Sequence, residues 1–220
     1  MKMTTETTAT APVQPKAPPK PRGRPLSFDR EVALEQAMHV FWERGYEAAS
    51  ISDLTAAMGI TPPSLYAAFG DKEKLFLEAI ERYALGPGAA GPRALKEESS
   101  ARGAIERWLL EAADELTRPC HPKGCMVVMA TTNCSVAAER VQTALAKRRA
   151  AAIANVKARI QHGIDDGELP PGTDAKALSN FYSTIYQGMS MQAKDGATRT
   201  SLLATVDAAM RAWPVAPKRR

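Results

Sequence analysis

Hydrophobic residues recur at every third or fourth position through most of the chain, and the strict alternation of a strand is nearly absent. Between residues 29 and 45, the apolar positions follow the i, i+3, i+4, i+7 spacing of an amphipathic helix, and Gly45 ends that pattern. Another such stripe runs from Leu75 to Tyr83. The pattern therefore predicts an all-α protein.

The stretch from residue 50 to residue 69 predicts two short helices. Ser50, with Asp53 three residues later, is typical of a capping box, and Gly59 ends the helix. Thr61 precedes two prolines, which fit a helix start because the first helical positions need no N–H donor. Two short helices joined by a glycine-containing turn are typical of a helix-turn-helix, whose second helix lies in the DNA major groove.

Four segments are expected from these patterns and from composition. A three-helix helix-turn-helix domain, with a fourth helix against it, is predicted from residue 27 to residue 84. The stretch "GPGAAGPR" breaks the helical pattern after it and marks the domain boundary. The remaining segments are a disordered basic arm at 1–26, a larger helical effector-binding and dimerisation domain at 85–214, and a basic tail at 215–220.

The C-terminal domain is expected to end in two helices, at about 174–194 and 198–213. They follow a helix around 105–116 and a long basic helix around 141–164, which a polar turn, "DDGELPPGTD", terminates. The final two carry more apolar surface than edge helices of a monomer need. We therefore expect them to pair two copies of the chain.

Composition narrows the class of protein. The chain has 220 residues, is 45% hydrophobic and holds three cysteines, an odd number that does not indicate a disulfide framework. No apolar run approaches the roughly 18 residues that span a bilayer, and the N-terminus lacks a signal-peptide core. We expect a cytoplasmic protein with no membrane partner.

The net charge of +5 is unevenly distributed. Residues 1–26 carry a net charge of +4 and six prolines, whereas residues 27–83 carry −5. Within the arm, "KPRGRP" places Arg22 and Arg24 around a glycine, a composition suited to a narrow minor groove with negative potential. The alternative is that the arm is only a soluble, proline-rich leader.

The run "FDREVALEQAMHVFWERGYEAASISDLTAAMGITPPSLYAAFGDKEKLFLEAIERY" resembles the N-terminal DNA-binding domain of the TetR/AcrR family of bacterial transcriptional regulators. The resemblance covers about a quarter of the chain and implies an all-helical dimer that represses transcription until a small ligand binds its C-terminal domain. It also implies DNA contacts at these positions: Ser50, Pro63, Ser64, Tyr66 and Lys72.

The chemistry of these residues agrees with that role. Ser64 can meet base edges or phosphate, Tyr66 can donate its O–H to phosphate, and Lys72 offers an ammonium in the first turn of a helix. Thr61, at the start of the same short helix as Tyr66, is counted with them. The alternative makes Tyr66 a core aromatic and Lys72 a solvated charge. Ala67 and Ala68 are smaller than the residues that the family often has there, which leaves the operator sequence open.

The segment "CHPKGCMVVMATTNC" carries all three cysteines. Cys125 follows a glycine at a predicted helix start, where free N–H groups favour a thiolate, and His121 and Lys123 lie close in sequence. On one straight helix, Cys134 would lie too far from Cys125 for a disulfide. Family members that sense electrophiles or oxidants look similar here. The alternative is that Cys120, Cys125 and Cys134 only pack as small buried side chains.

An apolar effector pocket between the C-terminal helices is a second possibility. Aromatic and methionine stripes are more often plain core, so periodicity alone does not choose between the two. The candidate lining residues are Trp108, Met126, Met129, Tyr182, Tyr186 and Met189. The cysteines and His121 lack a C-x-x-C spacing, so we predict no metal site and no cofactor.

Two classes of function follow. The first is a homodimeric repressor that binds a palindromic double-stranded operator and is released by an unidentified small molecule or by cysteine modification. The second is an architectural DNA-binding protein without an effector, whose C-terminal domain only dimerises. An enzyme is not expected, because the sequence has no Gly-rich phosphate loop and no nucleophile elbow.

Overall fold

The computed structural model describes residues 28–130 and 138–215. Within these residues all regular structure is helical, which confirms the all-α prediction. The elements are α1 (Arg30–Ala48), α2 (Ile51–Met58), α3 (Pro62–Phe69), α4 (Lys72–Leu85), a 3-10 turn (Pro87–Ala89), α5 (Ala90–Glu97), α6 (Ala101–Leu116), α7 (Met126–Met129), α8 (Glu139–Asp165), α9 (Ala175–Lys194) and α10 (Arg199–Met210).

The first four helices form an N-terminal bundle whose helix starts follow from local sequence. The Ser50 hydroxyl accepts from the Asp53 backbone N–H, the Asp53 carboxylate accepts from the Ser50 N–H, and the predicted capping box is present. The Thr61 hydroxyl likewise accepts from a backbone N–H in the first turn of α3. The bundle core includes Phe41 against Phe76, edge to face, with ring centroids 5.0 Å apart.

The remaining helices form a C-terminal bundle around α6, which packs against α5, α8, α9 and α10. Its buried stripe holds Ile105 and Leu109 as predicted, and the long basic helix α8 contributes Val156 and Ile160. Among the described residues, no helix is both long and apolar enough to cross a bilayer.

The stretch "GPGAAGPR" interrupts the helical pattern, as predicted, because α4 ends at Leu85 and Gly86 is not helical. The interruption is short, since a 3-10 turn follows and α5 begins within the same stretch, at Ala90. Pro92 falls in the first turn of α5, where a missing N–H costs no helical hydrogen bond. A Cβ on Gly91 would lie 2.7 Å from the Trp108 ring, so a glycine lets α5 approach α6 closely.

Trp42 joins the two bundles. Its indole N–H donates to the Gly124 carbonyl at 2.8 Å, and this hydrogen bond is buried. The same ring lies edge-on to Tyr83 of α4 at 4.8 Å and beside His121 at 5.4 Å. The loop before α7 is therefore fixed against α1.

We predict that Trp42→Phe lowers the free energy of unfolding by about 2 kcal/mol, because the buried Gly124 carbonyl loses its donor. The measurement is a urea titration at fixed protein concentration. Trp213→Phe removes the same atoms from a buried indole that packs against Tyr182, away from this junction, and serves as the matched control. Equal losses for the two variants would mean that the hydrogen bond contributes nothing specific.

Candidate DNA-binding surface and effector cavity

The exposed face of α3 carries the residues predicted to contact DNA. Thr61, Pro63 and Tyr66 are exposed, with 49% of Tyr66 accessible, and Ser64 is partly exposed. Leu65 and Phe69 are buried against the other helices. Because α3 contains no charged residue, the features that it can offer to DNA are hydroxyl groups, backbone N–H groups and shape.

Ser50 and Lys72 lie at the starts of the two helices that flank α3. The hydroxyl of Ser50 donates to the Asp53 carboxylate at 2.6 Å and is exposed. The ammonium of Lys72 lies 4.6 Å from the Tyr46 ring centroid and donates to the Glu47 carbonyl at 3.3 Å. Partial burial lowers the pKa of Lys72 from its ordinary value. Arg22 and Arg24 lie outside the described residues.

Some of the acidic residues of the N-terminal bundle lie in a groove away from α3. Arg82 pairs with Glu31 at 2.9 Å and with Glu35 at 2.8 Å, and Arg30 pairs with Glu78 at 2.6 Å. All five line an open groove of about 850 Å³ between the two bundles, and no residue of α3 lines it. Part of the negative charge of residues 27–83 is therefore paired with arginine in this groove, which contains no residue of α3.

A smaller, mostly apolar cavity of about 200 Å³ lies within the C-terminal bundle and reaches α4. Aromatic rings form much of its wall, and Trp108 and Tyr186 stack with centroids 5.3 Å apart. We call it the Cys125 cavity. Its wall includes Tyr83, Trp108, Glu111, Cys125, Ser183 and Tyr186.

Cys125 lies in this wall and bonds to both bundles. Its backbone N–H donates to the Ser190 hydroxyl of α9 at 2.8 Å, and the Tyr83 hydroxyl of α4 donates to its sulfur at 3.4 Å. Burial, and then the neighbouring Cys125, raise the pKa values of Tyr83 and Tyr186 well above the ordinary range. Both phenols therefore stay protonated, and the Tyr83 hydroxyl remains a donor toward the sulfur.

The structure explains why a glycine precedes Cys125. Gly124 adopts a φ of 80°, in the region that favours glycine, and a Cβ there would lie 2.9 Å from the Ser190 carbonyl oxygen. A glycine is therefore needed for this backbone to lie against α9. In the same position, the Gly124 carbonyl accepts the hydrogen bond from Trp42. The glycine thus positions Cys125 between the two bundles.

His121 and Lys123, which lie close to Cys125 in sequence, bond to groups other than the Cys125 sulfur. The Lys123 ammonium donates to the Thr117 carbonyl, and His121 Nδ1 lies 3.0 Å from a carboxylate oxygen of Glu115. His121 also packs 5.9 Å from His39, whose pKa is lowered first by burial and then by His121. These contacts belong to the junction between the bundles.

The expectation of one helix from Cys125 to Cys134 is wrong. Cys125 is the N-cap of α7, which ends at Met129 after a single turn. The helix geometry that separated the two sulfurs therefore does not apply. Cys134 lies outside the described residues, and Cys120 is exposed.

The predicted pocket residues divide into two groups. Trp108, Cys125 and Tyr186 line the cavity, but Met126 and Met189 are fully buried core side chains that do not. Tyr182 donates to the Ala209 carbonyl at 3.3 Å and Met129 borders a separate recess beside Trp42, so neither of these lines the cavity. No group of three or more potential metal ligands is found within 28–130 and 138–215.

Several cavity residues were not anticipated from the sequence. The sequence pattern places Tyr83 only on the buried face of α4, and it gives no signal for Glu111 or Ser183. In the sequence, their positions do not differ from other helical positions. The cavity arises from contacts between helices that are distant in sequence, such as Tyr83 with Cys125, 42 residues apart.

The chain matches two known domain families. Residues 33–79 match the N-terminal domain of bacterial regulatory proteins of the TetR family, and residues 102–212 match the tetracyclin repressor-like C-terminal domain. The HTH-type transcriptional repressor ComR of Escherichia coli (strain K12) is 36% identical over 197 residues, covering 89% of this chain and 93% of ComR.

Solved structures give the same result. A cysteine mutant of the TetR family transcriptional regulator CifR, complexed with 26-base-pair double-strand operator DNA, is 46% identical with a TM-score of 0.84. The match covers 87% of this chain and all of that one (100%). A TetR regulator from Rhodococcus sp. RHA1 is 36% identical over 85% of this chain and 100% of its own, with a TM-score of 0.58. The family comprises transcriptional regulators and not enzymes, as expected. The chain belongs to the TetR family of bacterial transcriptional regulators.

Proposed function

We propose that this regulator is a homodimeric repressor that binds a palindromic double-stranded operator in the cytoplasm and is released by occupation or modification of the Cys125 cavity. Its relative ComR is named a repressor, and the CifR structure contains operator DNA. The observation that carries the proposal is that Cys125 bonds to helices of both bundles from the wall of a cavity.

On this proposal, α3 enters the major groove with Thr61, Pro63, Ser64 and Tyr66 facing DNA. Ser50 and Lys72 contact the phosphates on either side. Each position is exposed or partly exposed at the end of the N-terminal bundle, and helix starts attract phosphate. Arg22 and Arg24 would add minor-groove contacts from the arm.

The surface of α9 and α10 supports the homodimer. Phe181 and Met191 on α9 are 40% and 42% exposed, and Leu178, Ile185 and Leu203 are only partly buried. Covering such an apolar face with a second copy is favourable. Twofold symmetry then sets two copies of α3 about 34 Å apart, the repeat of B-DNA, which a palindromic operator matches.

Release requires that an effector bind two states of the dimer with unequal affinity. We call the segment that ends in Gly124 and Cys125, directly before α7, the Cys125 loop. It contacts the N-terminal bundle at two places, Tyr83 of α4 and Trp42 of α1. A molecule that displaces either ring shifts the N-terminal bundle relative to α9. The separation of the two α3 helices then no longer fits the operator.

Covalent modification would act at the same point. With a maleimide, the Cys125 sulfur forms an S–C bond to one alkene carbon, the C=C π bond breaks, and the thiol proton ends on the other carbon. The adduct occupies the cavity and separates the sulfur from the Tyr83 hydroxyl. The architectural alternative gives this cavity and its thiol no role.

We predict that Tyr66→Phe weakens operator binding by about threefold to tenfold, and nonspecific DNA binding equally, because a phosphate contact carries no sequence information. Fluorescence anisotropy with operator and random duplexes at one salt concentration measures both. Tyr182→Phe loses a hydroxyl in the C-terminal bundle and is the matched control. Unchanged affinity would remove Tyr66 from the DNA contacts.

We predict that N-ethylmaleimide lowers operator affinity of the parent protein at least tenfold, and that Cys125→Ser removes this response while binding DNA normally. Cys120→Ser, which changes an exposed cysteine, should respond as the parent does. Operator binding after treatment is measured in parallel with mass spectrometry of each cysteine. A Cys125→Ser protein that is still released would show that Cys125 is not the sensor.

A further inference from the structure

Two polar atoms in the wall of the Cys125 cavity lack partners. Glu111 Oε2 and Ser183 Oγ are buried with no hydrogen-bond partner among the described residues, and both residues line the cavity. Ser183 is only 6% exposed. Buried polar groups are nearly always paired, and leaving one unpaired is costly. The two atoms therefore indicate where an occupant places its polar group.

Arg107 determines which oxygen of Glu111 is available. Its Nε donates to Glu111 Oε1 at 2.7 Å, and its other nitrogens pair with Glu97 and Glu98 at 3.0 and 3.1 Å. The three carboxylates raise the pKa of Arg107, so it stays a cation and holds Glu111 in place. The second oxygen of Glu111 remains as an acceptor at the cavity wall.

The rest of the wall sets the size and charge of the occupant. The stacked Trp108 and Tyr186 rings present apolar surface, and the volume of about 200 Å³ suits one compact molecule. An anion would meet Glu111 and Glu115. A cation would meet Arg148 and Arg149 on another part of the wall. An uncharged molecule avoids both repulsions.

We propose that the Cys125 cavity selects an uncharged, compact aromatic molecule that carries an O–H or N–H donor. The donor binds Glu111 Oε2, the Ser183 hydroxyl completes the polar contact, and the ring lies beside Trp108 and Tyr186. This assignment rests on the proposed function, because it names the ligand class of the same cavity.

A matched pair of probes tests this selection. The two probes are 4-fluorophenol and 4-fluorotoluene, which have similar size but differ in one hydroxyl donor. Fluorine NMR titration of the full-length protein gives both dissociation constants. The phenol should bind about tenfold more tightly, as expected for one hydrogen bond to a charged acceptor. Glu111→Met should abolish that preference and Ser183→Ala should reduce it severalfold.

Glu97→Gln is the control, because it removes another partner of Arg107 and leaves Glu111 intact, so its preference should match that of the parent. If Glu111→Met does not fold, the phenol preference of Ser183→Ala decides whether the proposal holds. Equal affinity of the parent for the two probes would overturn the proposal and leave water as the partner of both atoms. The release of DNA by maleimide is measured separately. If maleimide does not release DNA but the protein still prefers the phenol, the proposed function is contradicted and the ligand class is not.

Discussion

The hydrogen bond from the Trp42 indole to the Gly124 carbonyl holds the two bundles in one arrangement. It is buried, 2.8 Å long, and joins residues 82 positions apart. Gly124 can accept it only because its backbone takes a positive φ against α9, where a side chain would meet the Ser190 carbonyl. Breaking this bond leaves a buried carbonyl unpaired, so the junction favours one geometry strongly over alternatives.

The same junction connects the wall of the cavity to helices of the N-terminal bundle. The residue after Gly124 is Cys125, whose sulfur accepts from Tyr83 of α4, and Tyr83 packs edge-on against Trp42. Because α4 packs against both α1 and α3, the proposed function has a displacement of Tyr83 reach α3 through packed side chains. In our proposal, the same few contacts stabilise the DNA-bound form and respond to the occupant of the cavity.

The sequence predicts local features of this protein well. Helix starts at Ser50 and Thr61 depend on residues three positions apart, and the structure has them as predicted. Glycine and proline usually interrupt helices, and α4 does end just before Gly86, but Pro92 lies in the first turn of α5, where proline is tolerated. Prediction of the cavity was partial: Trp108, Cys125 and Tyr186 were named, but Glu111 and Ser183 depend on how α6 and α9 pack.

Hydrogen–deuterium exchange of the Cys120→Ser protein, before and after reaction with N-ethylmaleimide, tests the central claim most directly. If the Cys125 loop couples the cavity to DNA binding, amides of α1 near Trp42 and of α4 near Tyr83 exchange faster after modification. The same treatment of a protein that also carries Cys125→Ser leaves those amides unchanged. Exchange that changes only within α6, α8 and α9 would contradict the account, because the cavity would then respond without reaching the DNA-binding bundle.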